Sequence, residues 1–279
     1  MDKFIRNNFL AICITLAVIF AFAKKATIFQ QEPSQTTQPV VQNTNQETDA
    51  TFNSYWKKQR TETSQFVLKQ DSAKIGEVTL SFTLQDFEQD EPKEHIQMLS
   101  STFSQKSIDY KNSVTTSTLM PLDILLRPHA LEVSSSVQEP NGMGFMKLKF
   151  APKSYAVTIE GNLIKKNEEH LALSKTHNED EIWAKIRQNP ATLPQGEFDI
   201  IPSLTYWNSL HKIPEVQSAK AEFKNYEGKE FTGKKLKTYS LNYPDLKRSL
   251  SIVFEADSPF QIIGWQEENE GKVLIGKRY

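Results

Sequence analysis

The stretch Tyr239–Glu255, which reads YSLNYPDLKRSLSIVFE, decides the fold class of this chain. Large apolar residues alternate with smaller polar ones over Tyr239–Tyr243, and the same alternation returns over Leu250–Phe254. Period-two alternation is typical of a strand with one buried face, and Pro244-Asp245 between the two runs marks a turn. The stretch therefore predicts two neighbouring antiparallel strands.

The same pattern recurs on both sides of this hairpin. Ser258-Pro259 marks a turn into Phe260–Trp265, and a last strand is expected at Lys272–Ile275. Earlier alternating runs are Val78–Leu84, Leu131–Val137, Met146–Phe150 and Val157–Ile159, with a turn signal at Gly161-Asn162. Short turns between consecutive strands predict a meander.

Two helices are predicted between the strand-rich halves. Asn178 is placed to cap the first, with Glu181 completing a capping box, and Ile182, Trp183 and Ile186 form its apolar face. Pro202 opens the second, in which Leu204, Trp207, Leu210 and His211 follow helical spacing. The fold class expected is α+β with β dominant: a large curved antiparallel sheet with an inserted helical pair.

Residues 1–29 predict a signal anchor or a signal peptide. Lys3 and Arg6 precede the apolar run Phe9–Ala23, which Lys24-Lys25 closes. The segment either remains as a membrane helix or is removed at Ala23, where Ala-Phe-Ala has the form of a cleavage site. Ile12 before Cys13 departs from a lipid-attachment motif, so lipidation is not expected.

Residues 30–50 predict a disordered linker, and residues 51–279 a single β-rich extracytoplasmic domain. The linker is rich in Gln, Thr and Asn and has almost nothing to bury. Phe52, Tyr55 and Trp56 have the spacing of one helical turn that packs on the domain. The localisation expected is the cell membrane by a single pass, or the periplasm if Ala23 is the cleavage point.

Composition excludes several classes of function. The formal net charge is -1, so no basic excess points to a nucleic-acid partner, and Lys234, Lys235 and Lys237 predict a solvated strand face. Cys13 is the single cysteine, so the folded part has no disulfide and no thiol nucleophile.

No catalytic, cofactor-binding or metal-ligating residue is predicted. The five histidines lack the spacing of a metal motif, and His211 is expected to be a packing or surface residue. Ser134–Ser136 are expected to face solvent or a cross-strand partner, and Asp245 with Lys247-Arg248 predicts a charged turn. The histidines are His95, His129, His170, His177 and His211. Carboxylate pairs expected to be solvated are Asp86 and Glu88, Glu168 and Glu169, Asp180 and Glu181, and Glu267 and Glu268.

Four stretches carry a resemblance to a known family. They are Thr115–Asp123 (TTSTLMPLD), His129–Glu139 (HALEVSSSVQE), Glu181–Leu204 (EIWAKIRQNPATLPQGEFDIIPSL) and the region from Tyr239 to Glu267. In these the chain resembles a bacterial cell-envelope family of unknown function that is often labelled "septum formation inhibitor Maf". The family's members look like lipoproteins, and they continue the Gln-Glu string with Trp-Cys-Gly-His, whereas Pro140–Met143 stand here. The pyrophosphatase activity that the label implies is not carried over, because its SxSPRR-like string is missing.

Two functions are compatible with these patterns. The first is a membrane-tethered envelope protein that is not an enzyme and that binds an apolar ligand or an envelope protein, with no cofactor. The alternative is a hydrolase whose site is assembled from dispersed residues.

Overall fold

A computed structural model describes residues 55–56, 58–89, 94–109, 111–164 and 171–279. The predictions for residues 1–29 and 30–50, for Cys13 and for Phe52 lie outside these ranges. Within them, no helix combines the length and the apolar character needed to cross a membrane.

Fifteen strands of the described chain join in one sheet. They are β1 Thr61–Gln70, β2 Ala73–Gln89, β3 Glu94–Ser107, β4 Ser113–Pro121, β5 Glu132–Glu139, β6 Gly142–Phe150, β7 Ser154–Gly161, β8 Leu171–Ser174, β9 His177–Asn178, β10 Gly196–Ile201, β11 Gln217–Asn225, β12 Leu236–Tyr243, β13 Arg248–Glu255, β14 Ile262–Asn269 and β15 Lys272–Arg278. Every neighbouring pair is antiparallel except β9 and β10, which are parallel. The β-dominant class with a large antiparallel sheet is thereby confirmed.

The strand order makes the sheet curl. Strands β1 to β8 form one meander, β10 to β15 form a second, and β1 pairs with β15 to join them. The two edges of the sheet are β8 and β9, which are consecutive in the chain with only Lys175 and Thr176 between them. A flat sheet of this width would hold its edges about 65 Å apart, but this link spans at most about 11 Å. The sheet must therefore bend round until its edges approach each other.

Two helices of the described chain lie between β9 and β11. Helix α1 covers Glu179–Gln188 and begins at Asn178, whose side chain accepts a hydrogen bond from the Asp180 amide. A 3-10 turn follows at Pro190–Thr192, and helix α2 covers Leu204–Ser209. Strand β10 lies between the helices and was not predicted.

Helix α1 lies inside the curve of the sheet. All ten of its residues are buried, including the charged ones. Trp183 contacts Phe103 of β3 and Trp265 of β14, whereas Arg187 binds Glu62 of β1. A helix that touches strands from both meanders is surrounded by the sheet, so the prediction of one apolar face describes only part of its surface.

Several local predictions need correction. Gly142-Met143-Gly144, where two glycines in the sequence predict a turn between strands, instead starts strand β6. Helix α2 ends at Ser209, so His211 lies in the following turn, with a positive φ of 53°, rather than on a helix face.

The Tyr239–Glu255 hairpin is confirmed as β12 and β13, and its Pro244–Lys247 turn lies where it was expected.

Candidate functional site

The first turn of α1 presents three consecutive acidic residues to three different surroundings. Glu179, Asp180 and Glu181 are all buried, which corrects the expectation that the pair Asp180 and Glu181 is solvated. The interior is lined by polar side chains that the local pattern does not reveal, so each carboxylate has partners from distant strands and loops. The functional geometry of the molecule is built around these three residues.

A cavity of about 250 Å³ opens beside this turn. Phe103, Trp183 and Trp265 supply its aromatic lining, and Thr205 and Ser209 border it from α2. Gly276, the partner of Trp265 across β14 and β15, has no side chain, and a Cβ atom there would come within 2.2 Å of the indole ring. The glycine therefore lets the Trp265 ring lie flat over the adjacent strand.

Glu179 and Arg248 form an ion pair at the wall of the cavity. The guanidinium group donates to both carboxylate oxygens of Glu179, at 2.5 and 2.7 Å, and its Nε donates to Glu267 at 2.6 Å. Tyr243 also donates to Glu179, at 2.6 Å, and Tyr206 packs over the guanidinium. Although burial favours the neutral form, Glu179 and Glu267 raise the pKa of Arg248. The prediction of a charged turn at Asp245 and Lys247-Arg248 is therefore only partly correct. Arg248 points inward, and carboxylates neutralise its charge.

Asp180 also lines the cavity, but its partners are neutral. Its carboxylate accepts from the Ser203 hydroxyl at 2.6 Å and from the Leu204 amide at 2.9 Å. Burial raises the pKa of Asp180 to about 6, although these two hydrogen bonds act in the opposite direction. The Ser203 hydroxyl in turn accepts from the Thr205 amide and caps α2. Asp180 thus joins the starts of the two helices.

Glu181 belongs to a separate group, the His–Glu–Lys cluster of His129, His177, Glu181 and Lys185. Oε1 of Glu181 lies 2.6 Å from Lys185 Nζ, 3.0 Å from His177 Nδ1 and 3.7 Å from His129 Nδ1. Oε2 accepts from the Ala130 amide at 2.9 Å, instead of closing the predicted capping box. Lys185 Nζ is also 3.3 Å from His177 Nδ1. The cluster joins α1, the edge strand β9 and the loop before β5.

Electrostatics in the cluster favour the charged form of Glu181. Burial alone would raise its pKa, but Lys185 and the two histidines outweigh burial, so the pKa of Glu181 is lowered. The pKa values of Tyr155 and Tyr239 are raised, first by burial and then by the Glu181 charge.

A buried hydroxyl network links β4, β5 and α2. Thr116 donates to Ser135 at 2.8 Å and lies 2.7 Å from the Thr205 hydroxyl, and Asn208 donates to Ser135 at 2.7 Å. Thr116 and Ser135 are directly opposite each other in the sheet, which agrees with the expected cross-strand partner for Ser135. Ser136 is exposed and Ser134 is partly exposed. These hydrogen bonds join two neighbouring strands of the sheet to α2.

The other candidate residues are dispersed. Asp86 and Glu88 are exposed as expected, and His95 lies 3.4 Å from Asp86 at the surface. His211 binds Glu139 at 3.0 Å and is partly exposed, as expected for a surface residue.

The remaining charged residues that were expected to be solvated are mostly exposed. Glu268 is exposed whereas Glu267 binds Arg248. Lys234 and Lys235 are exposed, and Lys237 is partly exposed. His170, Glu168 and Glu169 lie outside the described residues.

Sequence reasoning did not find the His–Glu–Lys cluster. His129 is far from the other three residues in the chain and belongs to no motif. His177, Glu181 and Lys185 follow one another at spacings of four residues, and this spacing is the local signal of the cluster in the sequence. The expectation of no metal-ligating residue remains a prediction. The fold and the site together define the class of this protein: a β-sheet protein whose sheet surrounds a charged helix, with a cavity at the start of that helix.

Comparisons with known proteins place few limits on this chain. No protein-family model matches it, and no curated protein matches it. It is similar to a solved structure described as a beta-barrel-like protein of a domain of unknown function, DUF1849, from Brucella abortus. The two are 10% identical with a TM-score of 0.36, over 78% of this chain and 95% of the other.

Proposed function

We propose that this chain is a non-enzymatic binding module that takes a small uncharged ligand into the cavity beside Glu179 and Asp180. The observation that carries the proposal is the chemistry of that cavity. Aromatic rings line one part, hydrogen-bonding side chains line another, and the buried charges of Glu179 and Arg248 are already paired. Ligand sites commonly combine an apolar lining with a few placed polar groups.

The paired charges define the class of ligand. Arg248 donates to Glu179 and Glu267, so an anionic ligand would have to displace one of these carboxylates to reach the buried guanidinium, whereas Lys272 lines the cavity from an exposed position. The amides of Gln70, Gln105 and Asn269 also line the cavity and can both donate and accept. A ligand with an apolar part and several neutral hydroxyl or amide groups fits this lining.

A cavity-filling variant tests this proposal. Ser209 is exposed and borders the cavity, so Ser209→Trp places a large ring at the entrance. Thr63→Trp adds the same ring to an exposed position of β1 and serves as the control. Both variants and the native full chain are compared in thermal-shift titrations against monosaccharides and other small uncharged compounds.

The outcomes of this experiment are distinct. The proposal expects compounds that stabilise the native chain and the Thr63→Trp variant but leave the Ser209→Trp variant unaffected. Stabilisation of all three chains alike, or of none, would overturn it. If no compound binds but detergent-solubilised membranes yield one protein partner with both native chain and Ser209→Trp, the module binds a protein through another surface.

A hydrolase is the second candidate, because a buried carboxylate lies beside a hydroxyl in a cavity. Asp180, whose pKa is raised to about 6 by burial, could act as a general base toward a substrate or a water. Ser203 already donates to Asp180 and caps α2, which argues for a structural role of this pair. Hydrolysis of generic ester, amide or phosphoester substrates that disappears in Asp180→Asn would favour the enzyme over the binding module.

The proposed site of action is the cell envelope, with the binding domain held at the membrane by the N-terminal segment. This part of the proposal is supported by the apolar run Phe9–Ala23 and its basic flanks. Cell fractionation with a mass measurement of the mature N-terminus tests it. A full-length chain in the membrane supports an anchor, a chain that begins after Ala23 supports release into the periplasm, and an intact chain in the cytosol contradicts both.

A further inference from the structure

The His–Glu–Lys cluster has the donor set of a transition-metal site. Two imidazole nitrogens and one carboxylate oxygen, from His129, His177 and Glu181, all lie within 4.8 Å of one another. We infer that these three residues form a binding site for a divalent transition metal of the Zn²⁺ class, and that Lys185 holds the position of the ion when the metal is absent. This inference does not depend on the ligand of the cavity.

The spacing of the donor atoms fits such an ion. Ligands of a tetrahedral zinc site, each about 2.1 Å from the metal, lie about 3.4 Å apart. Glu181 Oε1 is 3.0 Å from His177 Nδ1 and 3.7 Å from His129 Nδ1, values on either side of that spacing. The imidazole nitrogens lie within 4.8 Å of each other, so the two rings would have to approach by up to about 1.4 Å to bring all three atoms to the required distances. Imidazole nitrogens favour zinc and its neighbours over Ca²⁺ and Mg²⁺, which prefer oxygen ligands.

The ligands are held by a second layer of contacts. The Ala130 amide binds Oε2 of Glu181, which leaves Oε1 as the atom shared by the cluster. The His129 ring stacks on Phe150, and the His177 ring meets Phe198 edge to face. Such outer contacts commonly orient the ligands of metal sites.

His129 supplies a further observation that points to a missing partner. Its Nδ1 atom is buried, lies 3.7 Å from Glu181 Oε1, which is too far for a hydrogen bond, and has no other hydrogen-bond partner among the described residues. A buried polar nitrogen without a partner is unfavourable, and such atoms in native proteins call for an explanation. A metal ion bound to Glu181 and His177 would give this nitrogen the partner that it lacks.

Lys185 explains why the cluster holds together without a metal. Its ammonium group lies 2.6 Å from Glu181 Oε1 and 3.3 Å from His177 Nδ1, so it occupies the same region as the inferred ion. The Lys185 side chain must therefore move aside when the metal binds. This competition predicts a lower affinity for the native chain than for a chain without the ammonium group.

Three variants test the inference with Zn²⁺ itself as the probe. A double variant His129→Ala/His177→Ala removes two ligands, and Lys185→Met removes the competing cation while keeping a long apolar side chain. His211→Asn is the matched control, because His211 also binds a glutamate, at 3.0 Å, but has no second histidine beside it in the part of the chain that the structure describes. Zn²⁺ affinity and stoichiometry are measured on the full chain by competition with a chelating dye, and Co²⁺ absorption reports the ligand geometry.

The native chain and the His211→Asn variant should bind one Zn²⁺ at the cluster with equal affinity. The double histidine variant should bind at least ten-fold more weakly, and Lys185→Met at least ten-fold more tightly. Equal Zn²⁺ affinity of the native chain and the double histidine variant would overturn the inference. This comparison decides the question even if Lys185→Met does not fold, and a folded Lys185→Met variant that binds no more tightly would contradict the assigned role of Lys185.

Discussion

Asp180 and Glu181 are consecutive residues of one helix, both are buried, and their pKa values are shifted in opposite directions. Asp180 meets only neutral donors, the Ser203 hydroxyl and the Leu204 amide, so burial dominates and raises its pKa. Glu181 meets a lysine ammonium group and two histidines, and these outweigh burial. Burial alone therefore does not decide the charge of an interior carboxylate; the partner does.

The difference separates two regions of the interior. On the Glu181 side, the ionised form of the carboxylate is favoured, and its contacts tie a helix to an edge strand and a loop. On the Asp180 side, the carboxylate lines a cavity and can change its protonation near neutral pH. The first region contributes to stability and the inferred metal site, and the second to the proposed ligand site.

The largest effect is expected from Glu181→Gln. The substitution leaves Lys185 buried without its carboxylate, and removing one partner of a buried ion pair costs about 3–5 kcal/mol. Urea unfolding followed by circular dichroism measures the loss. The double variant Glu181→Gln/Lys185→Met removes both charges and should recover a large part of it. A loss below about 1 kcal/mol in Glu181→Gln would show that the cluster is more hydrated than its geometry indicates.

The next largest effect expected is the pH dependence that Asp180 gives to the free energy of unfolding. Its native pKa of about 6 lies above the value of about 3.9 for an unfolded chain, so the native state binds more protons between these values. The contribution of Asp180 to stability is therefore present at low pH and is lost as pH rises through 6. The free energy of unfolding of the native chain, relative to Asp180→Asn, should fall by about 2 kcal/mol from pH 4.5 to pH 7. Parallel pH profiles of the two chains would contradict the raised pKa.

Glu181 should show the opposite pH dependence. Its native pKa is lowered, so its contribution to stability is present above the unfolded value of about 4.3 and is lost as pH falls. The penalty of Glu181→Gln should therefore shrink by about 1 kcal/mol or more between pH 5 and pH 3. Unfolding curves at the two pH values measure it, and a penalty that grows toward pH 3 would reverse the assignment.

The smallest effect is expected for the surface pair of His211 and Glu139. Its side chains are 36% and 22% exposed, and partly exposed pairs contribute about 0.2–1 kcal/mol. His211→Asn keeps a residue that tolerates the positive φ of this position. A thermal-melt comparison should therefore show almost no change, whereas a loss comparable to that of Glu181→Gln would remove the contrast between buried and surface pairs.

Local patterns predicted much of the fold. The hairpin of β12 and β13, the strands β14 and β15 that follow it and the start of α1 at Asn178 all follow from alternation and capping. Strand β11 was missed because the inward side chains Ala219 and Ala221 are small, which weakens the alternation. That signal was present in the sequence and could have been found.

The candidate site could not be predicted from local patterns, for a physical reason. The pairing of β1 with β15 and the approach of the two sheet edges are long-range features, and they decide which side chains surround α1. Glu179 and Glu181 resemble the exposed acids of an ordinary helix start until Arg248 and His129 are brought to them by the curled sheet. The neighbours of a carboxylate set its charge, and these neighbours come from distant parts of the chain.

Carbon-13 NMR titration of the side-chain carboxyl groups tests the central contrast most directly. Assigned signals of Asp180 and Glu181 are followed from neutral pH to the lowest pH at which the chain stays folded. We expect Asp180 to titrate near pH 6 and Glu181 to titrate well below its ordinary range, so that it stays ionised where Asp180 has become neutral. Titration of both residues near the ordinary value of about 4 would contradict this expectation.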